Sequence, residues 1–249
     1  MLKEERQQII LQILNKEEKV IASDLSIRLS VSEDTIRRDL KELDKKGFIK
    51  RVHSGALKTG PPIVDFSIRQ EIFHNTKAKL AEKALHFIKE NQTIIIDGGT
   101  TNLHLATQLP LTLKSTIITN SPPIATALSH HSNINIIMLG GELFKQSMVN
   151  LGITTAELLN TIRADLYIMG VYNMHPISGI SVPSLSEALV KNKMSSHSQK
   201  TIALSTPDKL HSISNYVVSK ASAVSYLITD KIDPELKKQY EDKQITIID

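Results

Sequence analysis

The spacing of apolar residues separates a helical N-terminal part from a C-terminal part in which short β-rich runs alternate with helices. Apolar residues recur at helical spacing over residues 2–15, and a polar turn is predicted for residues 16–19. A short second helix is predicted to begin at a cap formed by Ser23 and Asp24 and to end at Leu29. A third helix is predicted to begin at Ser32, whose hydroxyl can accept hydrogen bonds from the first turn. This order of helices is typical of a helix-turn-helix, whose last helix enters the major groove of DNA.

The third helix has an apolar face and a cationic face. At about 100° per residue, three apolar residues share one side of it, namely Ile36, Leu40 and Leu43. The opposite side carries one acid and three bases, namely Asp34, Arg38, Lys41 and Lys45. A solvated face of an ordinary amphipathic helix would show the same pattern, so this segment alone leaves both interpretations open. Asp39 lies towards the buried side and DNA would repel it, so we interpret it as a structural partner for a base such as Arg6.

A two-stranded hairpin, or wing, is predicted after the third helix. Gly47 is predicted to end the helix, and residues 48–53 and 54–57 then predict the two strands. Lys50, Arg51 and His53 would lie near DNA phosphates if the hairpin is a wing. A plain surface hairpin is the alternative.

Positive charge is concentrated in the same region. Residues 35–58 contain eight Lys or Arg and three Asp or Glu, so their net charge of +5 exceeds the +4 of the whole chain. Such a cluster indicates a phosphate-binding surface. We assign base reading to Thr35 and Arg38, since a guanidinium can bind guanine O6 and N7. We assign Arg37, Lys41, Lys50 and Arg51 to phosphates. The predicted DNA-contacting residues are Ser32, Thr35, Arg37, Arg38, Lys41, Lys50, Arg51 and His53.

The N-terminal pattern resembles that of the DeoR-type bacterial transcription regulators. Arg6, Ile10 and Leu14 stand at spacing four. After seventeen intervening residues the pattern continues with Ser32 and with Thr35-Ile36-Arg37-Arg38-Asp39-Leu40. The resemblance implies a winged helix-turn-helix that binds operators and usually represses genes of sugar catabolism.

Length and composition describe an ordinary globular protein of two domains. The chain has 249 residues, of which 41% are hydrophobic and 22% are charged. The absence of cysteine excludes disulfides, a thiol nucleophile and cysteine-ligated metal sites. We expect a cytoplasmic protein, because neither a signal peptide nor a membrane-spanning apolar run is visible. We expect no cofactor, and the lack of a Gly-x-Gly-x-x-Gly or Walker loop disfavours dinucleotides and nucleoside triphosphates. The Gly60-Pro61-Pro62 run marks a linker, so the predicted domains are residues 1–58 and 76–249, joined by residues 59–75; residues 68–89 have a helical pattern.

The C-terminal part predicts a mostly parallel sheet covered on both faces by helices. Its strands are predicted at residues 93–96, 116–119, 134–139, 166–171, 201–204, 226–229 and 245–248. The predicted fold class is therefore α+β overall, with a winged helix-turn-helix followed by an α/β sensor domain. In such sheets, ligands bind beyond the carboxyl ends of the strands.

Small and polar residues follow several of these predicted strands. Asp97-Gly98-Gly99-Thr100-Thr101 joins the first strand to a helix and could cradle a phosphate, although a tight strand-to-helix turn is the alternative. Thr119-Asn120, Gly140-Gly141 and Gly170 end three further strands, which suggests one shared polar crevice. Lys145 is a candidate second phosphate contact, although an exposed lysine is usually only solvated.

The same segments resemble the effector domain of the DeoR-type regulators, whose fold is similar to ribose-5-phosphate isomerase and whose ligands are commonly phosphorylated sugars. The resemblance assigns to the effector site Asp97, Gly98, Gly99, Thr100, Thr101, Thr119, Asn120, Gly140, Gly141, Gly152, Glu187, Lys191 and Lys209. The segment Thr206-Pro207-Asp208-Lys209-Leu210 keeps the lysine of the family pattern Asp-Ser-Ser-Lys-Phe but moves the acid and adds a proline.

Three functions are compatible with these patterns. The leading hypothesis is a repressor that binds operator DNA as a dimer or tetramer and responds to a phosphorylated sugar. The first alternative is an isomerase-like or hydrolytic enzyme on sugar phosphates, with Glu187 as base and Lys209 as electrostatic stabiliser. The second alternative is a nonspecific DNA binder. No metal site is expected, because the nine histidines include only the isolated pair His130-His131 and no spacing typical of ligands.

Overall fold

The computed structural model describes residues 1–17, 19–45, 48–58 and 65–249. The predicted linker run Gly60-Pro61-Pro62 and the predicted helix end at Gly47 lie outside these residues. The described residues up to Lys58 are called the head below, and those from Asp65 onwards are called the sensor domain.

The head is a winged helix-turn-helix. Its elements are α1 (Lys3–Glu17), β1 (Lys19–Ile21), α2 (Ala22–Leu29), α3 (Glu33–Lys45), β2 (Ile49–Val52) and β3 (Gly55–Lys58). The three helices enclose a core of buried residues that includes Ile10, Leu14, Leu25, Ile36 and Leu40. The apolar face predicted for α3 is confirmed, because Ile36, Leu40 and Leu43 are all buried.

The wing has three strands instead of the predicted two. Strand β1 pairs with β3, which gives the order β1-β3-β2, so the polar turn predicted for residues 16–19 is wrong at Lys19. The cap predicted at Ser23 and Asp24 is also wrong, since α2 begins at Ala22 directly after the strand. A Cβ on Gly55 would lie 1.8 Å from the carbonyl oxygen of Val20, so only glycine allows β1 and β3 to approach this closely.

A buried ion pair joins α1 to α3 in the head. The Arg6 Nε donates to Asp39 Oδ2 over 2.5 Å, and the two side chains are only 11% and 3% exposed. The Gln7 amide donates to the other carboxylate oxygen over 3.3 Å. The interpretation of Asp39 as the partner of Arg6 is therefore confirmed, and the pair fixes the distance between the first helix and the third.

The sensor domain is built on a parallel sheet. Its strands are β4 (Thr93–Ile96), β5 (Ser115–Thr119), β6 (Ile134–Met138), β7 (Glu142–Phe144), β8 (Val149–Leu151), β9 (Ala164–Gly170), β10 (Asn173–His175), β11 (Gly179–Val182), β12 (Ser198–Leu204), β13 (Tyr216–Ser219), β14 (Tyr226–Ile228) and β15 (Thr246–Ile248). Seven of them form the parallel sheet in the order β15-β14-β12-β9-β4-β5-β6. All seven predicted strands are confirmed in this sheet.

Helices cover both faces of that sheet. They are α4 (Phe66–Glu71), α5 (His74–Leu85), α6 (Thr100–Gln108), α7 (Pro122–Leu128), α8 (Ile153–Leu159), α9 (Leu185–Ser196) and α10 (Pro234–Glu241). Ile94 and Ile96 pack into the core under α5, α6 and α7, whereas Ile95 packs into the core under α8, α9 and α10. The helical pattern over residues 68–89 is interrupted, because Phe73 adopts a left-handed conformation between α4 and α5.

Two small antiparallel sheets were not predicted from the sequence. Strands β7 and β8 form a hairpin that follows the edge strand β6, and β10, β11 and β13 form a second three-stranded sheet. None of the described helices combines the length and apolar composition needed to cross a membrane.

We expect Asp39→Asn to destabilise the head by about 3 kcal/mol, because the change leaves the buried Arg6 guanidinium without its counter-charge. Asp34→Asn is the matched control on the same helix. Its partner Arg38 is 78% exposed, so breaking that pair is expected to cost under about 1 kcal/mol.

Urea unfolding can separate the two domains, since all five tyrosines belong to the sensor domain. Asp39→Asn should move the far-UV circular dichroism transition of the head to lower urea and leave the tyrosine fluorescence transition unchanged. Equal midpoints for the two variants would contradict the role of the Arg6–Asp39 pair.

Candidate functional site

The surface predicted to contact DNA begins with the cap of α3. Ser32 Oγ accepts a hydrogen bond from the Thr35 backbone N–H over 3.2 Å, as predicted, and lies 2.8 Å from the Thr35 hydroxyl. Arg37 Nη2 and Arg38 Nη2 each lie 2.7 Å from an acid one turn earlier on the helix. Exposed pairs of this kind are worth under about 1 kcal/mol, so either guanidinium can exchange its acid for a DNA group at little cost. Lys41 is exposed on the same helix.

The cations of the wing are not paired with acids on their own element, unlike Arg37 and Arg38 of α3, in the described part of the chain. Arg51 and His53 are exposed, and the Arg51 backbone N–H donates to Asp44 Oδ1 over 2.9 Å, which ties the wing to α3. Lys50 Nζ donates to Asn215 Oδ1 over 2.8 Å. Because Asn215 belongs to the sensor domain, the structure joins a predicted phosphate contact of the head to the other domain.

A polar cleft lies at the carboxyl ends of β4 and β9. The residues that line it come from six parts of the sensor domain and are Arg69, Gly98, Gly99, Thr100, Thr101, Ser147, Gly170, Val171, Tyr172, Glu187, Lys191 and Lys209. The position matches the general rule that ligands bind beyond the carboxyl ends of parallel strands.

Close approach of two loops builds the floor of this cleft. A Cβ on Gly98 would lie 2.0 Å from Val149 Cγ1, and a Cβ on Gly170 would lie 2.6 Å from the carbonyl oxygen of Gly98. Both positions therefore require glycine. Helix α6 begins immediately afterwards at Thr100, so the N–H groups of its first turn have no partner within the helix and can bind an anion.

Asp97 lies beneath the cleft and does not line it. Its Oδ1 accepts from the Gly170 N–H over 2.7 Å and from Asn102 Nδ2 over 2.8 Å. Its Oδ2 accepts from the Tyr167 hydroxyl over 2.6 Å and from Lys191 Nζ. Burial, followed by the negative charge of Asp97, raises the pKa of Tyr167 well above its ordinary value and keeps this hydroxyl a donor. Asp97 thus positions the groups that form the cleft.

Cations are crowded around the cleft. The pKa of Lys209 is lowered to about 8, chiefly by burial. Asp208 opposes this shift, and the positive charges of Lys77, Arg69 and Lys191 add to it. Burial also raises the pKa of Glu187. A bound anion would relieve both the repulsion among the cations and their lost hydration. The charge distribution therefore favours a negatively charged ligand.

Six further residues assigned to the effector site from the sequence do not line the cleft, and Gly152, which directly precedes α8, is one of them. Thr119 Oγ1 accepts from the nearby Ser121 N–H over 3.1 Å. Asn120 Nδ2 donates to the Asn150 carbonyl over 3.0 Å and so supports the β7–β8 hairpin. The Gly140 carbonyl accepts from Thr155 Oγ1 over 2.6 Å, and Gly141 follows it into the hairpin. Lys145 is exposed near the tip of the hairpin.

Sequence reasoning missed Arg69, Ser147 and Tyr172. Arg69 belongs to α4, where the helical pattern indicated only which residues are apolar, and Ser147 belongs to the unpredicted hairpin. Tyr172 lies two residues after β9, so the rule on strand ends could have found it. Within the described parts of the chain, no group of three or more His, Cys, Asp or Glu side chains could hold a metal ion.

Two family models match the chain. The model described as the DeoR-like helix-turn-helix domain matches residues 6–59, and the model described as the DeoR C terminal sensor domain matches residues 72–231.

Curated relatives are similar over almost the whole chain. The HTH-type transcriptional regulator GolR of Listeria innocua is 34% identical over 98% of this chain and 97% of its own length. The HTH-type transcriptional repressor GlcR of Bacillus subtilis is 31% identical over 93% of this chain and 90% of its own length.

Solved structures are similar over part of the chain. Ribose 5-phosphate isomerase A of Neisseria gonorrhoeae is 19% identical with a TM-score of 0.41, and the similarity covers 58% of this chain and 55% of the isomerase. The eIF2B beta subunit of Chaetomium thermophilum is 13% identical with a TM-score of 0.43, over 68% of this chain and 54% of its own.

Proposed function

The chain belongs to the DeoR family of transcriptional regulators, and we propose that it is a repressor of carbohydrate-catabolism genes whose operator binding is modulated by a phosphorylated sugar. It is a regulator and not an enzyme, since its close relatives are transcription regulators and repressors. The observation that carries the effector proposal is the convergence of Lys191, Lys209 and the first turn of α6 on one cleft.

The cleft suits a phosphate because it combines three kinds of anion-binding group. The first turn of α6 offers backbone N–H groups at the positive end of a helix dipole. The buried residues Thr100 and Thr101 offer hydroxyls, and Lys191 and Lys209 offer positive charge. Glu187 can accept a hydrogen bond from a sugar hydroxyl as a carboxylate. Burial raises its pKa and so favours the protonated form, which can also donate a hydrogen bond to a sugar hydroxyl.

The head would bind operator DNA in the manner of a winged helix-turn-helix. In this proposal α3 lies in the major groove, where Thr35 and Arg38 read base edges. Ser32, Arg37 and Lys41 of the helix region, together with the wing residues Lys50, Arg51 and His53, contact phosphates and position the head without specifying sequence. Function on DNA places the protein in the cytoplasm.

Self-association would give two heads the correct spacing. Two recognition helices on one face of DNA must stand about 34 Å apart, which a dimer or tetramer provides. The sensor domain exposes apolar side chains on two adjacent elements, with Leu185 54% and Leu189 59% exposed on α9 and Val217 62% exposed on β13. Apolar surface of this kind favours contact with a second copy of the chain.

We expect Arg38→Ala to weaken binding to the preferred operator by about 1–3 kcal/mol and to relax the preference at one base position. Lys50→Ala should weaken binding to all duplexes by a similar factor, because a phosphate contact carries no sequence information. Operators selected from a random duplex pool with the unsubstituted protein, followed by fluorescence anisotropy titrations, measure both effects.

The control for this experiment is Arg163→Ala, which removes an exposed arginine from the sensor domain and should change neither affinity nor preference. Unchanged affinity and base preference in Arg38→Ala would refute the assignment of Arg38. An unsubstituted protein that binds no duplex better than random DNA would refute an operator-binding function.

We expect at least one phosphorylated pentose or hexose to raise the melting temperature of the full chain, with its unphosphorylated sugar as the negative control. A ligand at about 100 times its dissociation constant adds roughly 2.7 kcal/mol to the free energy of unfolding. Lys209→Met should abolish this thermal shift, and Lys145→Met should retain it, since Lys145 is exposed outside the cleft. No shift with any sugar phosphate, or equal shifts in the two variants, would contradict the proposed effector site.

A further inference from the structure

The short helix α4 contributes the cation Arg69 to the cleft. Most of the other lining residues lie at or near strand ends or on α9. Arg69 lines the cleft together with the Gly98–Thr101 loop and Lys209, and α4 packs against α6. Arg69 Nη2 donates to the Gln146 carbonyl over 2.9 Å, near the tip of the β7–β8 hairpin. The Arg69 Nε is buried and has no hydrogen-bond partner in the described chain. A guanidinium therefore reaches the cleft with one donor unused.

Arg69 is held at this position by a buried lysine. Lys77 of α5 is only 3% exposed, and its Nζ donates to the Arg69 backbone carbonyl. Burial, and then the positive charge of Arg69, lowers the pKa of Lys77 to about 8. The backbone contact positions the helix turn that carries Arg69 and does not use the guanidinium.

The cations around the cleft are not each matched by a paired acid. Lys209 lies under the influence of Arg69, Lys77 and Lys191, and the acids near these cations are Asp65, Asp97, Glu187 and Asp208. Asp65 is exposed to solvent. Asp97 is already paired with Lys191, and burial disfavours the charged form of Glu187. The Oδ1 of Asp208 is buried without a hydrogen-bond partner among the described residues. A guanidinium in this setting lacks a matched carboxylate and is available to an anion from outside.

We propose that Arg69 is an effector-contacting residue, whose guanidinium binds the phosphate of the ligand together with Lys209 and the first turn of α6. This inference rests on the proposed function of the cleft and names the contact that the sequence did not reveal. The guanidinium fork can donate two parallel hydrogen bonds to one phosphate, which a lysine cannot do.

Ligand binding through Arg69 has a consequence for α4. The free space in the cleft is about 20 Å³, which is room for roughly one water molecule. A phosphate is larger than this space, so we expect side chains that line the cleft, Arg69 among them, to shift when it binds. Helix α4 begins at Phe66, eight residues after the last strand of the head.

Isothermal titration calorimetry on the full chain tests the proposal, with inorganic phosphate and the sugar phosphate that gives the largest thermal shift as probes. We expect Arg69→Gln to weaken the affinity for both probes by about tenfold or more, since it removes a charge-assisted contact. Arg69→Lys should recover part of the affinity, because it restores the charge without the fork. Arg163→Gln, at an exposed arginine of the same domain, should bind like the unsubstituted protein.

A purely structural role for Arg69 gives a different result. In that case Arg69→Gln would lower the melting temperature of the ligand-free protein while leaving both affinities unchanged, and this would overturn the inference. Hydrogen exchange adds an independent readout, because saturating ligand should slow exchange of the α4 amides in the unsubstituted protein but not in Arg69→Gln.

The inference and the proposed function fail in distinguishable ways. Unsubstituted protein that binds neither probe would overturn both. Unsubstituted protein and Arg69→Gln that bind the probes equally would overturn only the role of Arg69 and leave the effector site intact.

Discussion

The sensor domain depends on the buried carboxylate of Asp97. It accepts hydrogen bonds from the Gly170 N–H, from Asn102, from Tyr167 and from Lys191, and so joins the ends of β4 and β9 to α6 and α9. A charge buried this deeply is tolerated only when every lone pair is satisfied, so the four donors must hold their places. The resulting rigid floor presents the first turn of α6 and the Lys191 side chain to the cleft. The proposed anion-binding character of the cleft therefore depends on an acid that does not line it.

The head also contains a buried acid that is paired with a base. Asp39 is buried between α1 and α3 and is paired with Arg6, so the reading helix is held by its inner face while Arg37 and Arg38 remain exposed on the outer one. In both domains a buried acid holds neighbouring elements in place. Cations that are only weakly paired, or not matched by an acid, remain able to bind an external anion. For the head that anion is the phosphate backbone of DNA, and for the sensor domain it is the proposed sugar phosphate.

The sequence was most informative where burial alone determines structure. All seven strands of the parallel sheet were predicted, because strands covered on both faces are continuous apolar runs. Strand order was not predictable from these runs, and Gly140-Gly141 illustrates the consequence: β6 lies two strands from β4, so its end is about 10 Å from the cleft. Strands β7 and β8 have only three residues each, which is too few for a clear alternation of apolar and polar residues. Arg69 could not be found either, because a helical pattern identifies a buried face but not the element against which that face packs.

The two domains act as one regulator only if ligand binding in the cleft changes operator binding by the head. Reciprocal titration tests this coupling most directly. Operator affinity is measured with and without saturating sugar phosphate, and sugar phosphate affinity is measured with and without operator. Coupling requires both affinities to change by the same factor, which typically lies between about 5 and 150. We predict equal factors in this range. An operator affinity that saturating sugar phosphate leaves unchanged would contradict the account.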